Sequence, residues 1–271
     1  MYKNIKVISS DIDGTIVDKS HEIKPKTAQI IKKIQDSGII FGLASGRPVD
    51  DLMNKYKNWG LDKQFDFIIG YNGGELFDKD TNSKYEFNKL KKEWIKEIIE
   101  LMSPFEVNIH MYKPGIYLSS KESDRAWYSA FKNSRKFVVC DDITDFYSDD
   151  NCGIMFRCKE TDMPKIEELF SKLQDKPYVG FKTQTDLFEF SSKDSNKGFA
   201  LKEYMKLKGL DANDVLAIGD TTNDNEMLKV AHGICMKNGS EDTKKCAEYI
   251  TKKTDEEEGF RDFIEEFILN D

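Results

Sequence analysis

A strand-helix rhythm opens this chain, stops after residue 71 and returns near residue 197, and that interruption limits its possible folds more than any other feature. Lys6 to Ser10 is a short run with β-branched residues that ends at acids, the pattern of a buried parallel strand feeding a loop. Pro25 opens a helical stretch with Ala28, Ile30, Ile31 and Ile34 to one side, Gly38 ends it, and residues 39–44 read as the next strand. A second unit follows, with Val49, Leu52, Met53 and Tyr56 at helical spacing, Gly60 as a stop, and 65–70 as a third strand. Parallel strands with helices between them predict an α/β fold with a doubly wound sheet.

After Tyr71 the pattern changes. Asn72-Gly73-Gly74 is a turn signal, and strand-like runs then crowd together at 106–112, 115–120, 153–158, 178–182 and 187–190. Two helical stretches accompany them, one through Trp94, Ile95, Ile98, Ile99 and Met102, the other through Ile166, Leu169, Phe170 and Leu173. An inserted, mostly antiparallel α+β domain is the simplest reading. The βα rhythm then resumes with Leu201, Tyr204 and Met205 on a helix, 214–220 as a strand, and a helix through Met227 and Leu228. A short strand at 249–251 and an amphipathic helix with Phe260, Phe263, Ile264, Phe267 and Ile268 close the chain. The expected division is a discontinuous Rossmann-like core of 1–82 plus 192–271 around an inserted α+β domain of 83–191, each of ordinary domain size.

The 271 residues carry 41 basic and 49 acidic side chains, and a net charge of −8 argues against a binder of nucleic-acid backbones. No run of about 18 apolar residues occurs and the start lacks a secretory pattern, so neither a membrane span nor a signal peptide is expected. Five cysteines, at 140, 152, 158, 235 and 246, are odd in number and include no CxxC pair, which fits reduced thiols and a cytoplasmic protein. Cys152 and Cys158 lack a second ligand pair and read as small packing residues, and His21, His110 and His232 form no ligand-like cluster. The acidic run 255–258 reads as a solvated helix start. Nothing in the sequence speaks to oligomeric state.

Four short segments stand at the ends of predicted strands, where an open α/β sheet collects ligands. They are Asp11-Ile12-Asp13-Gly14-Thr15, Ser45-Gly46-Arg47, Ser195-Asn196-Lys197-Gly198 and Gly219-Asp220-Thr221-Thr222-Asn223-Asp224. Singly, each has an ordinary explanation as a turn, a loop or a solvated lysine. Together they would bring Asp11, Asp13, Asp220 and Asp224 to neighbouring strand ends. Two unit charges about 4 Å apart repel by roughly 4 kcal/mol at an effective dielectric near 20, so such carboxylates require cations or protons. A divalent ion answers that need, and Mg²⁺ suits a site of few carboxylates, water and phosphate oxygen. Ser45 adds a hydroxyl beside a helix start with free N–H groups, and Lys197 adds a compact positive charge, both suited to an anion.

These four segments, in this order and across nearly the whole core, resemble the motifs of the haloacid dehalogenase superfamily of phosphohydrolases. The resemblance implies that Asp11 is the nucleophile that becomes an aspartyl phosphate and that Asp13 is the general acid, then base. It implies that Mg²⁺ is held by the Asp11 carboxylate, the Asp13 backbone carbonyl and Asp220, with Asp224 supporting the water shell. Phosphate binding then falls to Ile12, Ser45, Gly46, Lys197 and Asn223. The interval of 152 residues from Ser45 to Lys197, against 32 from Asp13 to Ser45, resembles the Cof-like branch, whose large C2-type cap covers the active site. Residues 71–77 and 187–198 are similar to that branch's segments leaving and re-entering the core. Thr221 stands where the branch often has Asn or Ser. Arg47 is open between a substrate contact and a pairing with a core acid, and Asn72 between a ligand contact and a positive-φ turn.

The chemistry is coherent in itself: an anionic aspartate attacks an anionic phosphoryl group only where Mg²⁺, Lys197 and backbone amides cancel the charge. The expected activity is Mg²⁺-dependent hydrolysis of a small phosphorylated metabolite, such as a sugar phosphate, nucleotide or phosphorylated cofactor, with the cap reading the leaving group. A phosphomutase using the same aspartyl phosphate is the closest alternative. A non-catalytic phospho-acceptor module of about 120 residues is a third reading, disfavoured by the second aspartate and the insertion. Cap residues Tyr112, Tyr117, Arg125, Arg157 and Lys182 are too ordinary in sequence to receive roles.

Overall fold

A computed structural model describes residues 2, 4–19, 22–132, 134–173 and 175–269, so His21 lies outside the described residues. The chain divides into two compact units, Met1–Glu86 with Asn196–Asp271 and Phe87–Ser195.

The first unit starts with β1 (Val7–Ser10), all four residues buried. Helix α1 (Pro25–Asp36) begins on proline, whose missing N–H is no loss in a first turn, and buries Ile30, Ile31 and Ile34. Strand β2 (Ile40–Ala44) follows. The helical pattern around residue 50 proves to be two short helices, α2 (Val49–Leu52) and α3 (Lys55–Asn58), before β3 (Phe67–Gly70). Strands β4 (Glu75–Asp78) and β5 (Ser83–Glu86) then form a hairpin that extends the same sheet antiparallel to β3.

The second unit runs α4 (Lys92–Met102), β6 (Asn108–Lys113), β7 (Ile116–Ser119), α5 (Asp124–Lys132), β8 (Lys136–Val139), β9 (Ile154–Arg157), α6 (Met163–Ser171), β10 (Tyr178–Gln184) and β11 (Leu187–Ser192). Its six strands stand in the order β10-β11-β9-β6-β7-β8, antiparallel except for the parallel pair β7·β8. Alternation puts Ile109, Met111, Ile154, Phe156, Phe188 and Phe190 on one face, where they pack with Ile95, Ile98 and Ile166 of α4 and α6. Helix α5 packs through Ala126 and Ala130 against Tyr117, Met155 and Leu187 of the other face. The sequence reading missed α5 because its inner face is only alanine while its aromatic residues point outward.

The first unit resumes with α7 (Lys197–Lys208), β12 (Val215–Gly219), α8 (Asn225–Lys229), β13 (His232–Cys235), α9 (Glu241–Lys244), β14 (Tyr249–Ile250) and α10 (Gly259–Ile264). Its eight strands stand in the order β14-β13-β12-β1-β2-β3-β4-β5, parallel as far as β3. The sheet is sandwiched by helices over a core that includes Ile8, Phe41, Ile68, Leu216, Ile218, Phe260 and Phe263. Each such side chain fully buried contributes about 1.5–3 kcal/mol. The expected junctions at 82/83 and 191/192 fall four residues later at both ends. The reason is pairing: β5 is tied to β4, and Ser192 is tied to Tyr178 in the second sheet. Among the described residues no helix is long and apolar enough to cross a membrane, and all five cysteines are free thiols.

Candidate active site

Chain order reverses at β1, which lies between β12 and β2, and the carboxyl ends of these strands are where a doubly wound sheet gathers ligands. Asp11 follows β1 directly, and its N–H still donates to the Ile218 carbonyl of β12 at 2.9 Å. Asp220 follows β12 and Ser45 follows β2. Lys197 is the first residue of α7, whose start is set by Asn196 accepting from the Phe199 N–H at 2.8 Å.

The Lys197 ammonium is fully buried and donates to Asp11 Oδ1 and to Asp224 Oδ1, each at 2.6 Å. The other Asp224 oxygen accepts the backbone N–H groups of Asp220 at 3.0 Å and Thr221 at 3.1 Å. Asp224 is thus a positioning residue that fixes the loop carrying Asp220 and ties it to the lysine. Asp11, Asp220 and Asp224 each offer a carboxylate oxygen within 4.8 Å of the others. Two glycines make this approach possible. A Cβ at Gly14, where φ is +84°, would lie 2.4 Å from Asp220 Oδ2, and one at Gly219 would lie 2.4 Å from Asp224 Cγ.

Three carboxylates around one ammonium leave a buried negative surplus. Burial pushes the Asp11 carboxyl well above the usual range, with Lys197 opposing and Asp224 and Asp220 adding to the effect. Burial and then Asp224 push Asp220 up to about 7. Burial alone would lower the Lys197 pKa, but Asp11 and Asp224 outweigh it and hold the lysine charged. Asp220 Oδ1 is buried with no hydrogen-bond partner among the described residues. An unpartnered buried oxygen costs about 1–3 kcal/mol, so the cluster calls for a proton or a further cation, and its all-oxygen donors are of the kind that fit Mg²⁺.

The expectation of four converging carboxylates needs correction: the Asp13 side chain is not in this cluster. It turns outward, where Arg47 Nη2 donates to both its oxygens at 2.8 and 2.7 Å. An extended segment places Asp11 and Asp13 on the same side, but the turn after Asp11 breaks that alternation, with the Ile12 carbonyl accepting from Ile16 and Val17 at 3.1 and 3.0 Å. Arg47 therefore pairs with an exposed acid of the site, not with the core acid that the sequence left open as one of its roles.

The remaining motif residues are stitched to one another. Ser45 Oγ accepts from the Arg47 N–H at 3.2 Å, and its carbonyl accepts from the Asn72 N–H at 3.0 Å. Asn72 does sit in a positive-φ turn, at φ 50°, and its Oδ1 accepts from Asn223 Nδ2 at 3.1 Å. Thr221 donates its hydroxyl to Asn223 Oδ1 at 2.6 Å. A Cβ at Gly46 would meet the Asn72 amide at 3.3 Å. Ile12 sends its side chain into the core, leaving only its backbone for a ligand. Asn238, missed in the sequence, donates to the Gly14 carbonyl at 2.8 Å and steadies the turn. A lone asparagine in a loop carries no signal that could have singled it out.

The family model for haloacid dehalogenase-like hydrolases, of the Cof type, matches residues 8–264. A Streptococcus pyogenes serotype M6 protein is 27% identical over 285 residues, covering 98% of this chain and 100% of its own. The 5-amino-6-(5-phospho-D-ribitylamino)uracil phosphatase YwtE of Bacillus subtilis is 25% identical over 287 residues, covering 97% of this chain and 98% of its own. A solved haloacid dehalogenase-like hydrolase from Bacteroides thetaiotaomicron superposes with a TM-score of 0.82 at 27% identity, over 97% of this chain and 100% of its own. With the family match running from the first core strand into the last helix, the chain belongs to the haloacid dehalogenase-like hydrolases and is a phosphatase.

Proposed function

We propose that this phosphatase is Mg²⁺-dependent and hydrolyses small phosphomonoesters through an aspartyl phosphate on Asp11. The observation that carries the reading is the buried negative surplus at the strand ends, where Asp11, Asp220 and Asp224 surround a single ammonium and one Asp220 oxygen lacks any partner. Asp11, the Asp13 carbonyl and Asp220 would hold Mg²⁺, with Asp224 behind them. Bound there, the ion would supply the positive charge that lets an anionic carboxylate approach an anionic phosphoryl group.

Lys197 holds Asp11 Oδ1 in place and keeps its charge at the reacting centre. Ser45 and the backbone N–H groups of Ile12 and Gly46 would bind the phosphoryl oxygens, joined by Asn223. The free Asp11 oxygen bonds to phosphorus as the ester bond breaks, and Asp13 gives its proton to the departing oxygen. Asp13 then takes a proton from water, the water oxygen bonds to phosphorus, and Asp11 is released with inorganic phosphate. Arg47 grips both Asp13 oxygens, so this pair must loosen before Asp13 can carry a proton.

The inserted unit is the proposed selector of the leaving group. Relatives whose names specify phosphatases of 5-amino-6-(5-phospho-D-ribitylamino)uracil and phosphoglycolate set a first panel of esters. The test is release of inorganic phosphate from that panel and from common sugar phosphates, with Mg²⁺ present and then chelated. Hydrolysis that stops on chelation and returns with Mg²⁺ supports the proposal. Undiminished turnover after chelation overturns it.

A further inference from the structure

Large exposed apolar side chains are concentrated in one stretch of the second unit. Of the eight among the described residues, five lie between 127 and 143: Trp127, Tyr128, Phe131, Val139 and Ile143. Trp127 and Phe131 stack at 5.3 Å and stay 54% and 67% exposed. They occupy the flank of α5 opposite Arg125, which reaches across to Asp186 at the start of β11. That flank therefore looks toward β8.

Strand β8 ends its sheet, and no described strand pairs with its outer edge. Its inner edge is used by Lys136 and Cys140, whose N–H groups donate to the Gly115 and Ser119 carbonyls, each at 2.9 Å. Alternation leaves the N–H and C=O of Phe137 and Val139 facing outward. Exposed apolar edges invite pairing, and natural proteins blunt them by keeping them short or with a bulge, a proline or charges; β8 relies on its four-residue length alone. Lys136-Phe137-Val138-Val139 has no bulge or proline, and its one charge stands at its beginning.

We propose that this edge pairs antiparallel with the same strand of a second copy of this chain, forming a two-fold dimer through the inserted units. A register centred on Val138 sets Phe137 opposite Val139 of the second copy, so that each such pair exchanges two backbone hydrogen bonds. Charge agrees with that direction. The exposed side chains entering β8 are basic, Lys132 and Lys136, and the stretch leaving it is acidic, with Asp141, Asp142 and Asp145. An antiparallel two-fold brings the basic entry of each copy beside the acidic exit of the other, Lys136 lying diagonally across from Asp142 of the second copy. A parallel pairing would set like charges together. The stacked Trp127 and Phe131 then extend the apolar contact beyond the strand.

Sedimentation of the full chain tests this, with a dimer expected at micromolar concentration. Val139→Pro removes an outward N–H without touching the ladder to β7, and is expected to give a monomer with unchanged phosphatase turnover. Lys136→Glu and Asp142→Lys offer a second route independent of the proline. Each alone is expected to weaken the dimer about tenfold, and the two together to restore it, since like charges brought opposite one another repel and opposite charges attract. A monomeric wild-type chain, a Val139→Pro dimer, or a double swap no tighter than the singles would overturn the proposal. So would a monomer that cosediments with anionic vesicles, which would assign the face to a membrane.

Discussion

The first unit buries three carboxylates around one cation, and the second holds one carboxylate between two cations. At the strand ends of the first unit, one fully buried lysine faces Asp11 and Asp224, with Asp220 beside them, and an Asp220 oxygen is left without a partner. In the second unit Asp186 is held by Arg157 at 2.7 Å and Arg125 at 2.6 Å, one arginine to each oxygen. There both carboxylate oxygens are partnered, and Arg125, the second cation, keeps more than half of its side chain in water, so its extra charge is not buried; the cluster ties β9, β11 and α5 together. The first cannot close without another positive charge. A buried surplus of one sign is a more specific mark of a functional site than buried charge as such, because only the surplus calls for a ligand.

Asp11→Asn removes the proposed nucleophile while keeping its shape, and should lower turnover by about 10⁴-fold or more with the fold intact by circular dichroism. Lys197→Met leaves the carboxylates facing one another and should lower turnover by about 10²–10³-fold. It should also destabilise the metal-free protein by about 3–5 kcal/mol in denaturant unfolding, a loss that Mg²⁺ lessens. For pH, the raised Asp220 value means that its protonation favours the metal-free fold, so the contribution of this group is fully present below the ordinary carboxylate range and is lost as pH rises through about 7. Under the proposed function Mg²⁺ would displace that proton. Its affinity by calorimetry should therefore rise by about tenfold or more per pH unit below 7, since Asp11 is also raised. Asp186→Asn should lower thermal stability by about 1–3 kcal/mol and leave kcat and the Mg²⁺ requirement unchanged. A shifted metal requirement in that variant would erase the distinction between the two clusters.

Most of the core was legible because its signals are local. Pro25, Gly38 and the Ile30, Ile31 and Ile34 stripe mark α1 without reference to any partner, and the aspartates follow short runs rich in β-branched or apolar residues. What escaped depends on distant pairing. Strand β5 alternates half-buried and exposed residues and is a strand only because β4 lies beside it. Strand β13 is four residues paired to β12, and nothing around it reads as an isolated strand. At the site, the residue types and their order pointed to a charge cluster, but not to which oxygens meet. That Asp13 leaves the cluster for Arg47, and that Asp224 spends both oxygens on Lys197 and two amides, follows from turn geometry that no spacing encodes.

The central claim is that Asp11 carries the phosphoryl group in a site completed by Mg²⁺. Acid-quenching the enzyme during turnover of a phosphate ester and mapping its peptides by mass spectrometry tests it most directly. The account predicts a phosphoryl adduct on the peptide carrying Asp11 when Mg²⁺ is present, and none after chelation or in Asp11→Asn. Steady hydrolysis with the adduct on another residue, or an adduct that persists in Asp11→Asn, would contradict it.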